Sequence, residues 1–436
     1  MSQFQTICVL GMGYIGLPTA STFATHGLRV RGVDVNARII DVLQNGEIHI
    51  QEPGLRTLVQ AAFRSGNLEV GQEPGPADAF IIAVPTPILE DKRADLTYVE
   101  SAVRSIVPYL QPGNLVMLES TSPPRTTVDM LAPILEESGL KAGQDFYLAY
   151  SPERVLPGQI LRELIDNARV VGGVNAASAE AGRDLYAHFA KGEIHLTDST
   201  TAEMVKLMEN TYRDVNIALA NEFSRLAERF GVNVWDAIEL ANLHPRVNIL
   251  KAGPGVGGHC ISVDPWFLVE AAPSLAQLIA QARRVNDGQP AFAVQGMKDV
   301  VGDLDGLAIA ALGLTYKPDV DDLRESPAIE VARLLAQSGA QVRTFEPYAR
   351  QVTAPGCQAA PTLEVALQDA QALVLLVPHQ SFLTLEPALV QEHLSHGFVF
   401  DLTGSWDRSQ WEGAGFRFHA LGVGGVHAEP LSLIHI

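Results

Sequence analysis

Cysteine is nearly absent from this 436-residue chain: Cys8, Cys260 and Cys357 are the whole set. Three sparse thiols cannot build a disulfide framework, and a reducing compartment is the expected setting. Cations are also few, 31 Lys+Arg against 50 Asp+Glu, for a formal charge of −19. Nucleic-acid binding needs a basic footprint, so that class is excluded, though one small anion in a locally basic pocket is not. Long apolar runs are missing as well. The first, Ile7–Leu10, is too short for a signal or membrane helix and follows no basic stretch. No later segment approaches a span, and a soluble, cytoplasmic chain is expected. With 47% hydrophobic and 19% charged residues the composition is otherwise that of a globular protein, of a length suited to two or three domains.

Short apolar runs at Thr6–Leu10, Val30–Val35, Ala79–Val84 and Leu115–Leu118 alternate with amphipathic stretches at Ile15–His26, Ala37–Gln44 and Tyr98–Leu110. That alternation predicts a parallel sheet covered by helices. Residues Thr201–Phe230 contain neither proline nor glycine and repeat apolar positions at three and four, which predicts one long helix. Helical pattern continues to about Val301, broken by Gly253–Gly258. A second strand–helix pattern then begins: strands Leu307–Leu312, Val342–Phe345, Leu373–Val377 and Phe398–Leu402, with a helix at Ser326–Ser338. The expected fold is α/β: two Rossmann-like, doubly wound domains joined by a helical middle domain with one long helix. The boundaries are 1–200, 201–301 and 302–404. From Ser405 no period is legible, so 405–436 is left unassigned, with Pro430–Ile436 set aside from the fold.

Three motifs carry chemistry. Gly11-Met-Gly13-Tyr-Ile-Gly16 joins a strand to a helix, and Asp34 closes the next strand. In that context the glycines allow a tight turn, a close pyrophosphate and close helix packing, while an acid at Asp34 favours NAD over NADP. The alternative is a plain strand–turn–helix corner with a surface acid.

The second motif is Gly255-Val-Gly257-Gly258-His259-Cys260-Ile-Ser-Val-Asp264. Most lone cysteines are inert core residues, and Cys8 and Cys357 are assigned to that class. Cys260 differs, because its loop can wrap a substrate and Asp264 follows four residues on, suited to a base or water-orienting role. His259 is read as a loop or surface residue. On the long helix, Lys206, Asn210, Arg213 and Asn221 share one stripe. A solvated face and a catalytic face are equally good readings of it; a lysine aimed at a developing alkoxide is the charge that oxidation needs. Thr121 and Glu153 lie at strand ends, where parallel sheets bind ligands; for Glu153 the plain reading is a turn-capping acid.

The third motif, Lys317-Pro318-Asp319-Val-Asp321-Asp322-Leu-Arg324-Glu-Ser326-Pro327, precedes a helix. It suits either a second phosphate-bearing ligand or a salt-bridged surface loop.

Taken together and in order, the blocks Gly11–Gly16, Ser151–Gly158, Thr201–Glu222, Gly253–Asp264 and Lys317–Pro327 resemble the nucleotide-sugar 6-dehydrogenases, the UDP-glucose/GDP-mannose dehydrogenase family, over roughly residues 5–403. Within it the likeness is greatest to members acting on UDP-N-acetyl-D-mannosamine, on the stretches Gly46-Glu-Ile-His-Ile50, Glu153-Arg-Val-Leu-Pro-Gly158, His244-Pro-Arg246-Val-Asn-Ile-Leu250 and His259-Cys-Ile-Ser-Val-Asp-Pro-Trp266. UDP-glucose enzymes typically carry Gly-Phe-Gly-Gly and Cys-x-Pro-Lys-Asp. Here Val256 replaces that Phe and Ser262-Val263 the Pro-Lys, which argues against UDP-glucose. UDP-N-acetylglucosamine is the runner-up.

The resemblance implies an NAD-dependent, four-electron oxidation at C6 through a thiohemiacetal and thioester on Cys260. Lys206 and Asp264, with Asn210, would handle the alkoxide and its proton; Glu153 would be the base and, with Thr121, would position water. It implies cofactor contacts from Gly11, Gly13, Tyr14, Ile15, Gly16, Asp34, Arg38, Pro85, Thr86 and Thr121. Substrate contacts would come from Arg154, Val155, Leu156, Lys206, Asn210, Arg213, Gly257, Lys317 and Arg324. Arg246 would reach a neighbouring subunit's sugar, so a homodimer or larger assembly is expected; no metal ligands, nucleic acid or membrane are. Two alternatives stay open: a two-electron hydroxyacid-type dehydrogenase using Lys206 and Asn210, and a non-catalytic NAD-binding protein.

Overall fold

The computed structural model describes residues 4–89, 91–156, 158–349, 352–394 and 397–424. The chain divides into two compact units, Met1–Glu209 with Trp266–Leu275, and Asn210–Pro265 with Ala276–Ile436.

The first unit is built on an eight-stranded sheet. Its strands are β1 (Thr6–Leu10), β2 (Arg29–Val33), β3 (Leu68–Gly71), β4 (Ala79–Ile82), β5 (Leu115–Leu118), β6 (Tyr147–Tyr150), β7 (Arg169–Gly173) and β8 (Ile194–Asp198). They run in the order β3-β2-β1-β4-β5-β6-β7-β8. The first six give the doubly wound order, reversing direction between β1 and β4, where such sheets open a ligand crevice. Strands β1, β4 and β5 read as continuous apolar runs because both faces are covered, Ile7, Val9 and Ile81 packing on one side and Cys8, Phe80 and Ile82 on the other. The helix Gly16–Thr25 lies close on this sheet because it is made largely of small residues, all but Thr25 buried.

The strands expected from the sequence, β1, β2, β4 and β5, run parallel to one another, and a reversal comes only further along the sheet. The sheet is not wholly parallel, since β6 pairs with β7 antiparallel, Ala149 opposite Gly173 and Tyr150 opposite Gly172. Among the described residues, the link from β6 to β7 holds a loop and the short helix Ile160–Asp166. The chain therefore turns back rather than crossing over.

The second unit contains β9 (Ala308–Leu312), β10 (Gln341–Phe345), β11 (Gln358–Ala359), β12 (Ala372–Leu375), β13 (Phe398–Asp401) and β14 (Arg417–Ala420), in the order β11-β10-β9-β12-β13-β14. All pairings are parallel. This repeats the order of the first sheet's leading six strands. Its last strand lies in the stretch where no period was legible, along with a helix at Arg408–Gly413. Strand β14 is only four residues long and alternates exposed and buried, too short for a periodic signal, while Trp411 anchors its helix against Trp406 at 4.6 Å between rings. Pro430–Ile436 lies outside the described residues.

The long helix is Ser199–Phe230, 32 residues, as its freedom from proline and glycine predicts. It is followed by helices Val234–Asn242, Asp264–Ala271, Gln277–Asp287 and Gln289–Val301. Among the described residues no helix is long and apolar enough to cross a membrane.

Candidate active site

Gly11 directly follows β1 at φ +94°, and a Cβ there would sit 2.6 Å from the Ala83 carbonyl oxygen. A Cβ on Gly16 would sit 1.8 Å from the Gly11 oxygen, whereas one on Gly13 meets nothing within 4 Å. The outer glycines are therefore demanded by packing, and the middle one leaves open space beside a helix start. That cradle fits a dinucleotide pyrophosphate. Tyr14 and Ile15 continue the same turn, half-buried. Asp34 accepts from the Met12 amide at 3.0 Å and the Asn36 amide at 2.9 Å, so it pins the glycine turn, and its carboxylate keeps acceptor capacity for a ribose. Arg38 stands exposed in the first turn of the next helix.

Pro85 and Thr86 follow β4 and Thr121 follows β5; the Ser120 hydroxyl donates to the Val84 carbonyl at 2.6 Å and ties those two exits together. Glu153 follows β6. These residues all leave the carboxyl edge of parallel strands, the edge where open α/β sheets bind ligands.

The β6–β7 reversal explains the surroundings of Glu153. Extended by three residues, the antiparallel register sets Glu153 opposite Arg169, and both Arg169 terminal nitrogens lie 3.3 Å from Glu153 Oε2. Glu153 Oε1 accepts from the amides of Arg154 at 2.6 Å and Val155 at 3.1 Å. The capping role and the candidate catalytic role thus fall on one carboxylate. Two more acids hold the rest of this loop: Glu163 accepts from the Leu156 amide at 2.7 Å, and buried Glu52 from Gly158 at 2.7 Å and Ile160 at 2.9 Å. The Arg154 guanidinium pairs with Glu209 at 2.7 Å. Lys206 belongs to the same unit and is buried.

In the second unit, half-exposed Cys260 occupies the turn that opens the helix Asp264–Ala271. Its carbonyl accepts from the amides of Val263 at 3.1 Å and Asp264 at 2.8 Å. The buried Asp264 carboxylate accepts from the Asn210 side chain at 2.5 Å. Two members of the helix stripe therefore part company. Asn210 meets the candidate catalytic acid, while fully buried Asn221 donates to Asn286 at 2.9 Å and accepts from the Gly253 amide at 2.9 Å, holding the start of the glycine loop.

Gly257 has a packing reason for being glycine: a Cβ would lie 2.6 Å from the Glu325 oxygen and 2.8 Å from Tyr316 and Pro327. The Cys260 loop and the Lys317–Pro327 loop are thus packed together, with the Gly258 amide donating to the Arg324 carbonyl at 2.9 Å. Arg324 is paired with Asp322 at 2.6 Å, and His259 Nδ1 stands 4.0 Å from the same acid. The Lys317 carbonyl is held by the Thr315 hydroxyl at 2.9 Å. Arg213 and Arg246 are exposed. Arg246 rides on a loop closed by Asn242, which bonds both the amide and the carbonyl of Ile249.

The residues that sequence reasoning missed are Arg169, Tyr186 and Glu119 behind Glu153, and Glu52 beneath its loop. None sits in a motif; only sheet register and packing bring them to the site.

Residues 5–190 match the NAD binding domain of the UDP-glucose/GDP-mannose dehydrogenase family, 200–288 its central domain and 310–408 its UDP binding domain. The chain belongs to that family. It is an NAD-dependent oxidoreductase of the nucleotide-sugar dehydrogenase kind. A relative from Methanococcus maripaludis described as UDP-N-acetyl-D-mannosamine dehydrogenase is 48% identical, covering 97% of this chain and 98% of its own. One from Ralstonia solanacearum described as NDP-N-acetyl-D-galactosaminuronic acid dehydrogenase is 47% identical over 93% of this chain and 97% of its own. A solved UDP-D-ManNAc dehydrogenase from Pyrococcus horikoshii is 41% identical with a TM-score of 0.89, covering 96% of this chain and 99% of that one.

Proposed function

We propose that this family member oxidises UDP-N-acetyl-D-mannosamine at C6 to the uronic acid, with Cys260 as covalent nucleophile. The observation that carries the covalent step is the Cys260 turn, a half-exposed thiol whose loop also positions Asp264 and, through it, Asn210. The substrate reading is supported by the Methanococcus and Pyrococcus relatives and by Val256 and Ser262-Val263 in place of the UDP-glucose pattern.

Bound NAD supplies the acceptor for two hydrides per sugar, one from the alcohol and one from the thiohemiacetal. Lys206 and Asp264 carry the proton and charge of the C6 oxygen as it becomes a carbonyl, and Asn210 fixes the acid. The Cys260 thiolate adds to the aldehyde carbon, forming the C–S bond as the carbonyl electron pair moves to oxygen. After the second oxidation the carbon is a thioester. Glu153, with Thr121, orients water onto it; hydrolysis breaks the C–S bond and returns the thiol. Oxidation of an alcohol alone needs no such thiol, whereas going on to the acid gains from one. Arg154, Val155, Leu156, Arg213, Gly257, Lys317 and Arg324 form the proposed substrate surroundings. In so acidic a chain the diphosphate is captured by local donors rather than by a global field.

The proposed division of labour is cofactor binding in 1–200, assembly in 201–301 and UDP binding in 302–404. A second copy is the proposed partner. Tyr212, Leu219, Phe223, Leu226 and Phe230 are large apolar residues exposed at steps of three, four and seven along one long helix, a stripe suited to burial against its own copy. Arg246 then serves the neighbouring subunit's site. A cytoplasmic role in polysaccharide biosynthesis completes the proposal.

The test is turnover of UDP-N-acetylmannosamine against its N-acetylglucosamine and N-acetylgalactosamine counterparts, followed by NADH absorbance and product mass. Preference for the manno sugar with two NADH per sugar is expected. One NADH per sugar would restore the two-electron reading, and preference for another epimer would replace the substrate.

A further inference from the structure

We propose that Glu119 is a positioning residue for the hydrolytic half of the reaction, governing how firmly Arg169 holds Glu153. This rests on the reading of Glu153 as the group that orients and activates water.

Four polar side chains from four different segments form one nearly dry cluster. Glu119 follows β5, Tyr186 ends the helix Ala176–Tyr186, Arg169 opens β7 and Glu153 follows β6; Glu119 is 3% exposed and Tyr186 fully buried. In the Arg169–Glu153 pair the side chains are 5% and 8% exposed. The Tyr186 hydroxyl bonds Glu119 Oε1. The Arg169 guanidinium lies 4.3 Å over the Tyr186 ring, a cation–π contact, and reaches Glu153 Oε2 with both terminal nitrogens at 3.3 Å.

One cation thus serves two buried carboxyls. In surroundings of low polarity both cannot stay ionised at no cost. Burial first, and the Glu153 charge second, push the Glu119 carboxyl up to about 7, against the pull of Arg169 and the Tyr186 hydrogen bond. Arg169 from β7, Tyr186 from its helix and Glu153 from beyond β6 are the charged and titratable groups that bear on Glu119.

When Glu119 is neutral, Arg169 belongs to Glu153. Together with the Arg154 and Val155 amides it fixes that carboxylate in one orientation. When Glu119 ionises, the guanidinium charge is shared and its hold on Glu153 loosens, leaving that side chain free to follow the attacking water. Glu119 touches neither the thioester nor the water; it acts through Tyr186 and Arg169. A glutamine of the same shape keeps the packing and loses the ionisation.

The experiment compares Glu119→Gln, Glu119→Asp and Tyr186→Phe with wild type. It measures the pH profile of thioester hydrolysis in a single turnover, KM, and the intact-protein mass during turnover. For Glu119→Gln the expected result is loss of an ionisation near neutrality, hydrolysis slowed by up to about 10²-fold, unchanged KM and a sugar adduct accumulating on Cys260. Glu119→Asp restores the ionisation, and Tyr186→Phe shifts it, so either decides the matter should the glutamine variant not fold. A wild-type pH profile with no adduct in the Glu119 and Tyr186 variants overturns the proposal. Glu153→Gln is the separate control: if it hydrolyses the thioester at the wild-type rate, the reading of Glu153 itself fails, whatever Glu119 does.

Discussion

The Asn210 side-chain amide donates to the Asp264 carboxylate at 2.5 Å, and the Asp264 amide donates to the Cys260 carbonyl at 2.8 Å. One turn of the long helix therefore sets the orientation of the acid next to the candidate nucleophile. Asn210→Ala removes this hydrogen bond to a buried carboxylate, and a bond to a charged group is worth about 1.5–3 kcal/mol. The expected outcome is a fall in kcat of roughly 10- to 100-fold with NAD affinity unchanged, checked by steady-state kinetics and cofactor titration. An equal loss in both would mean that the asparagine only supports the fold.

Cys260→Ser removes the thiolate but keeps the residue-260 carbonyl that accepts from the Val263 and Asp264 amides. The uronic acid should no longer form at a useful rate, and NADH should fall below two per sugar, read by absorbance and product mass together. Acid formation near the wild-type rate would rule out covalent catalysis.

Asp34→Ala acts twice, because the same carboxylate pins the glycine turn and is the proposed ribose acceptor. A hydrogen bond to a charged group contributes about 1.5–3 kcal/mol, so NAD should bind roughly 10- to 100-fold more weakly. The discrimination against NADP should narrow as the repelling charge is lost. Calorimetric titration with both cofactors checks this, and an unchanged NAD affinity would contradict it.

Glu119 also makes a prediction for stability. Its folded value of about 7 lies above the ordinary 4.5, raised mainly by burial and then by Glu153. A carboxyl raised on folding contributes fully below its unfolded value and loses that contribution as pH rises through the folded one. The stability of wild type relative to Glu119→Gln should therefore fall from below pH 4.5 to above about 7. Denaturant unfolding of both proteins across that window checks the sign, and a difference independent of pH would refute it.

Much of the fold was legible because its signals are local. The glycine turn at Gly11–Gly16 identifies itself within six residues, and the long helix within its own thirty-odd. Strand β14 escaped, since four alternating residues at a sheet edge carry almost no period. The reversal at β7 escaped for a different reason: a strand's apolar pattern is the same whichever way it runs.

The site divides in the same way. Cys260, Asp264, Lys206, Asn210 and Glu153 are candidates that the sequence itself offers, because each stands in a short pattern whose chemistry is readable from its neighbours. Arg169, Tyr186 and Glu119 are not among them, since what joins them to Glu153 is an antiparallel register and one ring face, not spacing along the chain. The sequence alone determined which groups are available: a thiol in a glycine loop, an acid after the second strand, a lysine on a long helix. Only the tertiary structure decided which charges share a partner, because the strength of a buried ion pair depends on what else the fold places beside the same guanidinium.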